Sequence, residues 1–204
     1  MAIIKNIIFD LGGVLLDIDY YRTSNAFKEL GVKNFDDFYS QAAADELFEA
    51  LETGNVSEEK FYSTMQQYCL PGTSYNQVQV AWNAMLISFR KESVAFLLPL
   101  KEKYNLYLLS NTNSIHLPEF NEIYNKEIGG PLFDNYFIKS YYSHLLHRRK
   151  PYGSTYQFVL EDAGIKPEET LFIDDSYKNI DGAKEVSIQT HLLRPEEKIE
   201  ALGL

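Results

Sequence analysis

Two adjacent carboxylates, Asp174 and Asp175, directly follow a short apolar run in the sequence. Like charges side by side at the end of a buried strand repel each other, and a nearby cation relieves that repulsion. Carboxylate oxygens are the hard ligands that Mg²⁺ prefers. The pair therefore indicates a candidate Mg²⁺ site, the alternative being a simple strand-to-helix cap ahead of Ser176.

A third acidic residue, Asp10, ends the first apolar run of the chain and precedes Gly12 and Gly13. Paired glycines let the backbone turn sharply and come close to a ligand. Taken alone, an aspartate in this position fits an ordinary turn or helix cap equally well. Asp10 becomes a functional candidate only if the fold brings it to the other acidic residues.

Two further segments carry groups suited to an anionic ligand. Ser110 and Asn111 offer a hydroxyl and an amide where a helix is expected to begin, a place where phosphate oxygens bind. Lys150 precedes Pro151 on a restricted loop and could supply a fixed positive charge against both Asp10 and a phosphate. Each signal is weak alone, and Lys150 by itself reads as a surface lysine.

The elements between these residues predict an α/β fold with a doubly wound, parallel, Rossmann-like sheet. Apolar runs alternate with helical stretches, as in βαβ units, and the β-branched first run suits a strand covered on both faces. In such a sheet, ligands bind beyond the carboxyl ends of the strands, so the four polar segments are expected to converge. The predicted strands are Ile3–Phe9, Leu106–Leu109, Tyr136–Ile138, Leu171–Ile173 and Thr190–Leu193.

The chain between Tyr20 and about Arg90 has no comparable strand run, and its apolar residues recur at helical spacing. Breaks at Gly31, Gly54-Asn55 and Pro71-Gly72 divide it into four predicted helices. We therefore expect a core domain of residues 1–15 and 90–204, with a small four-helix insertion at residues 16–89.

The composition of the chain argues against some classes of binding partner. A formal net charge of −10 disfavours nonspecific binding to nucleic acid or anionic membranes, and no window is long and apolar enough to span a bilayer. The dense basic patch His147-Arg148-Arg149-Lys150 is the expected source of local positive charge, or else a solvated loop. With its single cysteine and no cleavable leader, the chain is expected in the cytoplasm, and it gives no indication of oligomeric state.

Taken in order, the four segments resemble the haloacid dehalogenase (HAD) superfamily of aspartate phosphatases. The motifs are Asp10-Leu11-Gly12-Gly13-Val14, Leu108-Leu109-Ser110-Asn111, Arg149-Lys150-Pro151 and Phe172-Ile173-Asp174-Asp175 with Asn179. Within the superfamily, the chain looks most like small bacterial sugar phosphatases with a helical cap, of the α-glucose-1-phosphatase type. The predicted insertion stands where those relatives carry their cap.

This resemblance implies a Mg²⁺-dependent phosphatase with Asp10 as the nucleophile and as one metal ligand. It also implies that the Gly12 carbonyl and Asp175 bind the metal directly, and that Asp174 acts through a metal-bound water.

The resemblance further implies that Ser110 and the Asn111 backbone bind the transferring phosphoryl group, while Lys150 balances its charge. Asn179 matches a supporting position. The implied substrate is a small phosphorylated metabolite such as a sugar phosphate, hydrolysed through an aspartyl phosphate.

Two departures from the family pattern leave alternatives open. Most members carry a second aspartate as general acid where this chain has Gly12, although a glycine also occurs in the sugar phosphatase group. Without that acid, the rate is expected to depend steeply on the leaving group, unless a nearby group compensates, for which Asp17 and Asp19 are the candidates. His147 replaces a glycine before the lysine loop. The alternatives are a metal-independent 2-haloacid dehalogenase and a non-catalytic phosphate-binding module.

Overall fold

The computed structural model describes residues 3–33, 35 and 42–204, with the backbone alone for residues 42–45. A parallel sheet has five strands in the order β5-β4-β1-β6-β7. This result confirms the predicted α/β fold with a parallel sheet. The strands are β1 (Asn6–Phe9), β4 (Asn105–Ser110), β5 (Lys139–Tyr142), β6 (Thr170–Asp174) and β7 (Gln189–Leu192), and a separate antiparallel pair is formed by β2 (Leu16–Ile18) and β3 (Leu86–Phe89).

The central strand β1 is fully buried because helices cover both faces of the sheet. Alternate residues of β1 point to opposite faces, so Ile7 joins one apolar cluster and Ile8 the other. In register, Phe9 pairs with Leu108 on β4 and with Ile173 on β6. The first residues beyond these strand ends therefore meet at one edge of the sheet.

Nine α-helices lie in the described ranges. Three of them, α1, α3 and α4, begin after a residue whose side chain accepts a backbone N–H, as where the predicted cap Ser57 accepts a bond from the backbone N–H of Lys60. The helices are α1 (Tyr20–Glu29), α2 (Ala42–Glu52), α3 (Glu58–Gln66), α4 (Tyr75–Asn83), α5 (Lys91–Lys101), α6 (His116–Glu127), α7 (Ser143–Leu146), α8 (Gly153–Ala163) and α9 (Tyr177–Glu185).

The predicted strand at Tyr136–Ile138 is wrong. Residues Phe133–Tyr136 form a 3₁₀ turn, and the strand begins at Lys139. The aromatic run misled the prediction because Tyr136 and Phe137 are buried in the apolar cluster on one face of the sheet. The true strand β5 is an edge strand with a polar first half, so it lacks the continuous apolar pattern of a covered strand.

Four described helices, α1 to α4, occupy the predicted insertion and share an apolar cluster of their own that includes Phe27, Phe61 and Trp82. The expectation of a strand-free segment up to Arg90 was wrong, because β3 pairs with β2 at its far end. Residues 34 and 36–41 of the insertion lie outside the described residues. The boundaries of the two predicted domains stay a prediction. Among the described residues, no helix is both long enough and apolar enough to cross a membrane.

Candidate active site

Asp10 lies immediately beyond the carboxyl end of β1, where its backbone N–H donates to the Ile173 carbonyl at 2.9 Å. Its side chain is only 12% exposed. Oδ1 accepts a hydrogen bond from the backbone N–H of Leu11 at 2.7 Å and lies 2.8 Å from Nζ of Lys150. These contacts fix the carboxylate and leave Oδ2 as the oxygen that faces a ligand or cation.

Asp174 is fully buried at the end of β6 and is surrounded by donors. Its Oδ2 lies 2.7 Å from Nζ of Lys150, and its Oδ1 accepts the backbone N–H of Ser176 at 2.8 Å. The amide of Asn179 donates to both oxygens, at 3.1 and 3.0 Å. Asp174 is therefore held in one orientation, and it holds Lys150 beside Asp10.

The charges of this cluster do not balance. Carboxylate oxygens of Asp10, Asp174 and Asp175 lie within 4.8 Å of one another, and Lys150 supplies one positive charge among them. Burial, as the largest cause, raises the pKa of Asp10 well above its usual value and also raises that of Asp175. Burial by itself lowers the pKa of Lys150, but the two carboxylates that touch it raise its pKa above the usual value.

An all-oxygen donor set with excess negative charge fits a small divalent cation such as Mg²⁺. Such an ion would neutralise the remaining charge and would favour the ionised form of Asp10, against the effect of burial. The donor set of the described residues therefore suits the predicted magnesium site.

Gly13 gives Asp175 the space to approach the loop that follows Asp10. It has a φ of +71°, and a Cβ at this position would overlap the carboxylate of Asp175. At Gly12 an added Cβ would instead lie 3.0 Å from Cδ1 of Ile18, the end of a flexible side chain. A side chain at position 13 would therefore be much less well tolerated than one at position 12.

We expect Gly13→Ala to raise the Mg²⁺ concentration needed for half-maximal activity by about tenfold or more, because the new methyl group displaces Asp175 and strains the backbone. Gly12→Ala is the matched control, since Ile18 can move aside. Metal titrations of both variants, together with their melting temperatures, test this expectation. Equal metal requirements in the two variants would contradict the role given to Gly13.

The side-chain amide of Asn111, which the sequence predicts as a group for phosphate oxygens, instead bonds to the lysine loop. Its Nδ2 donates to the carbonyl of Lys150 at 2.9 Å, and its Oδ1 accepts the backbone N–H of the same residue at 2.9 Å. This two-bond clamp fixes the lysine loop beside the end of β4. The Asn111 backbone is then the part that remains for a phosphate.

Ser110 ends β4 and lines the cavity described below. The helix expected to begin here starts only at His116, where the side chain of Asn113 accepts the backbone N–H groups of Ile115 and His116. The loop between them is tied by Ser143, which exchanges two hydrogen bonds with the backbone of Thr112, at 2.9 and 2.8 Å. Sequence reasoning missed Ser143 because its partner is 31 residues away.

A cavity of about 400 Å³ opens over these residues, between the sheet edge and the helices α2 and α4. Small-ligand sites in proteins usually enclose about 300–1,000 Å³, so the volume suits a small metabolite. Its floor is charged and polar, while much of its upper wall is apolar. Lining residues include Asp10, Ser110, Lys150 and Asp175 on the floor and Leu16, Ile18, Trp82, Met85 and Leu86 in the wall.

The carboxylates predicted to replace the missing general acid are already engaged. Asp17 forms an ion pair with Arg90 at 2.6 Å, and Asp19 caps α1 by accepting the backbone N–H of Tyr21. Among the described residues that line the cavity, Glu52 on α2 is the one carboxyl group that does not belong to the cluster of Asp10, Asp174 and Asp175. Glu52 also pairs with Arg149, at 3.1 Å, but burial is the larger effect and raises the pKa of Glu52 above its usual value, so this residue is a candidate proton donor.

The basic patch divides its members among separate partners rather than forming one solvated loop. Lys150 is buried at the site, while Arg149 forms ion pairs with Glu49 at 3.4 Å and Glu52 at 3.1 Å on α2. His147 adopts the left-handed conformation, with a φ of 54°, that a glycine would ordinarily adopt, and its ring bonds to the Thr53 carbonyl at 2.8 Å. The loop therefore keeps a glycine-type turn despite the histidine.

Comparison with known proteins identifies the family. Residues 4–187 match the haloacid dehalogenase-like hydrolases. The chain belongs to this family of enzymes. The predicted family membership is therefore confirmed, over most of the sequence.

Similar proteins are known from two species. A D-ribitol-5-phosphate phosphatase of Bacteroides thetaiotaomicron is 33% identical over 192 residues, which cover 92% of this chain and 90% of the relative. The HAD family enzyme bt-2542 of the same species, solved in complex with magnesium and inorganic phosphate, superposes with a TM-score of 0.90 at 35% identity, covering 98% and 100% of the two chains. A HAD-like hydrolase of Porphyromonas gingivalis gives a TM-score of 0.88 at 33% identity, covering 98% and 97%.

Proposed function

We propose that this HAD-like hydrolase is a Mg²⁺-dependent phosphatase for small phosphate monoesters, with Asp10 as its nucleophile. The observation that carries the proposal is the cluster of three carboxylates and one buried lysine on the cavity floor. The phosphatase name of one relative and the magnesium and phosphate bound by another support the proposal. A sugar or sugar-alcohol phosphate is the proposed substrate class, and the narrower α-glucose-1-phosphatase assignment stays a prediction.

In the proposed mechanism, a carboxylate oxygen of Asp10 forms a bond to phosphorus as the bond to the leaving oxygen breaks. The leaving oxygen takes up a proton, for which Glu52 is the candidate donor. Water then attacks the phosphorus of the aspartyl phosphate, which releases inorganic phosphate and restores the carboxylate. Bound Mg²⁺ would supply neutralising charge to the phosphoryl oxygens.

The remaining proposed roles belong to residues at the end of β4 and in the loop that follows α7. Lys150, held between Asp10 and Asp174, places a fixed positive charge against the charge that develops in the transition state. Ser110 and the backbone of Asn111 hold phosphoryl oxygens. We also propose residues 16–89 as a cap over residues 1–15 and 90–204, because the cavity lies between these two parts.

A chelator experiment separates this function from its two alternatives. With aryl phosphate as substrate, EDTA should abolish phosphate release and Mg²⁺ should restore it. A metal-independent dehalogenase would release halide from 2-haloacids in EDTA. A binding module would show saturable phosphate affinity without turnover. Either of those results would replace the proposed function.

The adjacent carboxylates should respond differently to mutation. Asp175→Ala is expected to raise the Mg²⁺ requirement strongly and to leave stability nearly unchanged, because Asp175 is exposed in part and faces the cavity. Asp174→Ala is expected to lower the melting temperature as well, because it leaves the buried Lys150 short of a partner. Magnesium titration and thermal unfolding of both variants measure the two effects, and equal mild effects would contradict these assignments.

The dependence of rate on the leaving group tests Glu52. If this residue donates the proton, Glu52→Gln should slow poor leaving groups much more than good ones, and so steepen a plot of rate against leaving-group pKa. Glu49→Gln is the matched control, since Glu49 also pairs with Arg149 but does not line the active-site cavity. The assay is hydrolysis of substituted phenyl phosphates. A steep plot in the native protein, unchanged by Glu52→Gln, would show that no acid replaces the one missing at Gly12.

A further inference from the structure

A buried histidine in the cavity wall has no part in the proposed chemistry. His116, the first residue of α6, is 7% exposed and lines the cavity. Its ring stacks on Trp82 with centroids 5.0 Å apart and planes 10° apart. Its Nδ1 lies 2.8 Å from Oδ1 of Asn83 on α4. The ring is therefore fixed between the core helix and the insertion.

The hydrogen bonds around Asn83 determine which ring nitrogen carries the proton. The amide nitrogen of Asn83 donates to Oε2 of Glu119 at 3.1 Å, and a carboxylate can only accept. The amide oxygen must then be the group that faces His116. Because that oxygen is an acceptor, Nδ1 of His116 carries the proton and donates it.

The remaining nitrogen, Nε2, is consequently an acceptor. Burial lowers the pKa of His116 to about 3, so the ring is neutral at physiological pH and Nε2 keeps its lone pair. Among the described residues, no hydrogen bond to Nε2 is formed, yet Nε2 is not one of the fully enclosed side-chain nitrogens without a partner, so it keeps access to solvent. Because His116 lines the cavity, we take that access to be from the cavity. The cavity wall thus carries one oriented hydrogen-bond acceptor, supplied by a group that does not titrate near pH 7.

We propose that Nε2 of His116 accepts a hydrogen bond from a hydroxyl group on the part of the substrate that leaves after phosphoryl transfer. This inference rests on the proposed phosphatase function and assigns His116 as a specificity-determining residue. Asn83 and Glu119 are positioning residues that fix its tautomer.

The surroundings of His116 explain why the acceptor selects hydroxylated substrates. Its neighbours in the wall include Trp82, Met85 and Phe120, which offer apolar surface. An apolar ester that fills this space would strip water from Nε2 and leave it unpaired, whereas a polyol would satisfy it. Sites built around a polar group discriminate strongly against ligands that lack its partner. The cavity should therefore favour polyol or sugar phosphates over alkyl phosphates of the same length.

A matched pair of substrates tests the inference. Ribitol 5-phosphate and pentyl phosphate have the same chain length, and only the first carries hydroxyl groups. In the native protein, kcat/KM should be higher for ribitol 5-phosphate. His116→Phe, which keeps an aromatic ring against Trp82, should lower that value by about 10- to 100-fold. It should leave kcat/KM for pentyl phosphate unchanged or raise it, because no buried acceptor is then left unpaired. His116→Gln, whose carbonyl oxygen can replace Nε2, should recover part of the loss.

Each outcome separates the inference from the proposed function. Equal losses on both substrates in both variants would mean that His116 only maintains the fold, and melting temperatures would show the same defect. If the native protein hydrolyses pentyl phosphate as well as ribitol 5-phosphate, the inference fails while the phosphatase function stands. If the native protein releases phosphate from neither ester nor from an aryl phosphate with Mg²⁺, the proposed function itself fails.

Discussion

Asp10→Asn should reduce turnover by about three powers of ten or more, because the amide is a poor nucleophile and removes a negative metal ligand. The isosteric change keeps the hydrogen bond that Oδ1 accepts from the backbone N–H of Leu11. It also removes one of three crowded negative charges. In the metal-free protein, the variant should therefore be as stable as the native protein or more stable.

Single-turnover hydrolysis of an aryl phosphate and thermal unfolding in EDTA measure the two expectations. Asp162→Asn is a matched control, since Asp162 pairs with Lys139 at the surface of the core, away from the cavity. Turnover within tenfold of the native rate in Asp10→Asn would exclude the covalent mechanism. A large loss of stability would show that the carboxylate is needed for folding rather than for chemistry.

Lys150→Met should impair both activity and stability. The side chain is 1% exposed and its Nζ touches two carboxylates, so its removal leaves buried negative charge without a partner. Breaking a buried ion pair in this way typically destabilises a protein by about 3–5 kcal/mol. The loss of a charge beside the phosphoryl group should lower kcat by about a hundredfold or more.

The control for Lys150→Met is Lys184→Met on α9, where the lysine is 57% exposed and pairs with Asp181. Surface pairs of this kind contribute only about 0–1 kcal/mol. Urea unfolding of both variants, with and without Mg²⁺, separates the two environments. The cation should restore part of the stability of Lys150→Met, because it offers the carboxylates another positive charge. An unchanged free energy of unfolding would show that Lys150 is not needed for charge balance.

The sequence predicts the sheet and the residues at its edge because both follow from local patterns. The runs before Asp10 and Asp174 are short and apolar, and the first is also β-branched, so both can be recognised as strands without tertiary information. Once the strands are parallel, the polar residues that follow them have to lie at the same edge. Ser110 and Lys150 reach the cavity for this reason.

The features of the site that the sequence does not predict depend on contacts between segments far apart in the chain. The clamp between Asn111 and the Lys150 backbone joins loops 39 residues apart, and His116 is oriented by Asn83, 33 residues away. The ion pair between Asp17 and Arg90 depends on the pairing of β2 with β3, which brings the two residues together. No periodicity or motif encodes such partners, so their side chains could not be assigned to roles from the sequence alone.

The antiparallel pair of β2 and β3 has a consequence for how this enzyme could diversify. Leu16 and Phe89 face each other across the two strands, where the chain enters and leaves the helical segment. Opposed residues of antiparallel strands have Cα atoms only about 4.5–5.5 Å apart, a gap that a two-residue hairpin turn closes. The two chain connections of the helical segment thus lie side by side, so that exchanging the segment would need a single short junction. Recombination at this junction could replace the cavity wall that the helical segment supplies. The preference for one phosphate ester over another would then change, while Asp10 and the residues around it are kept.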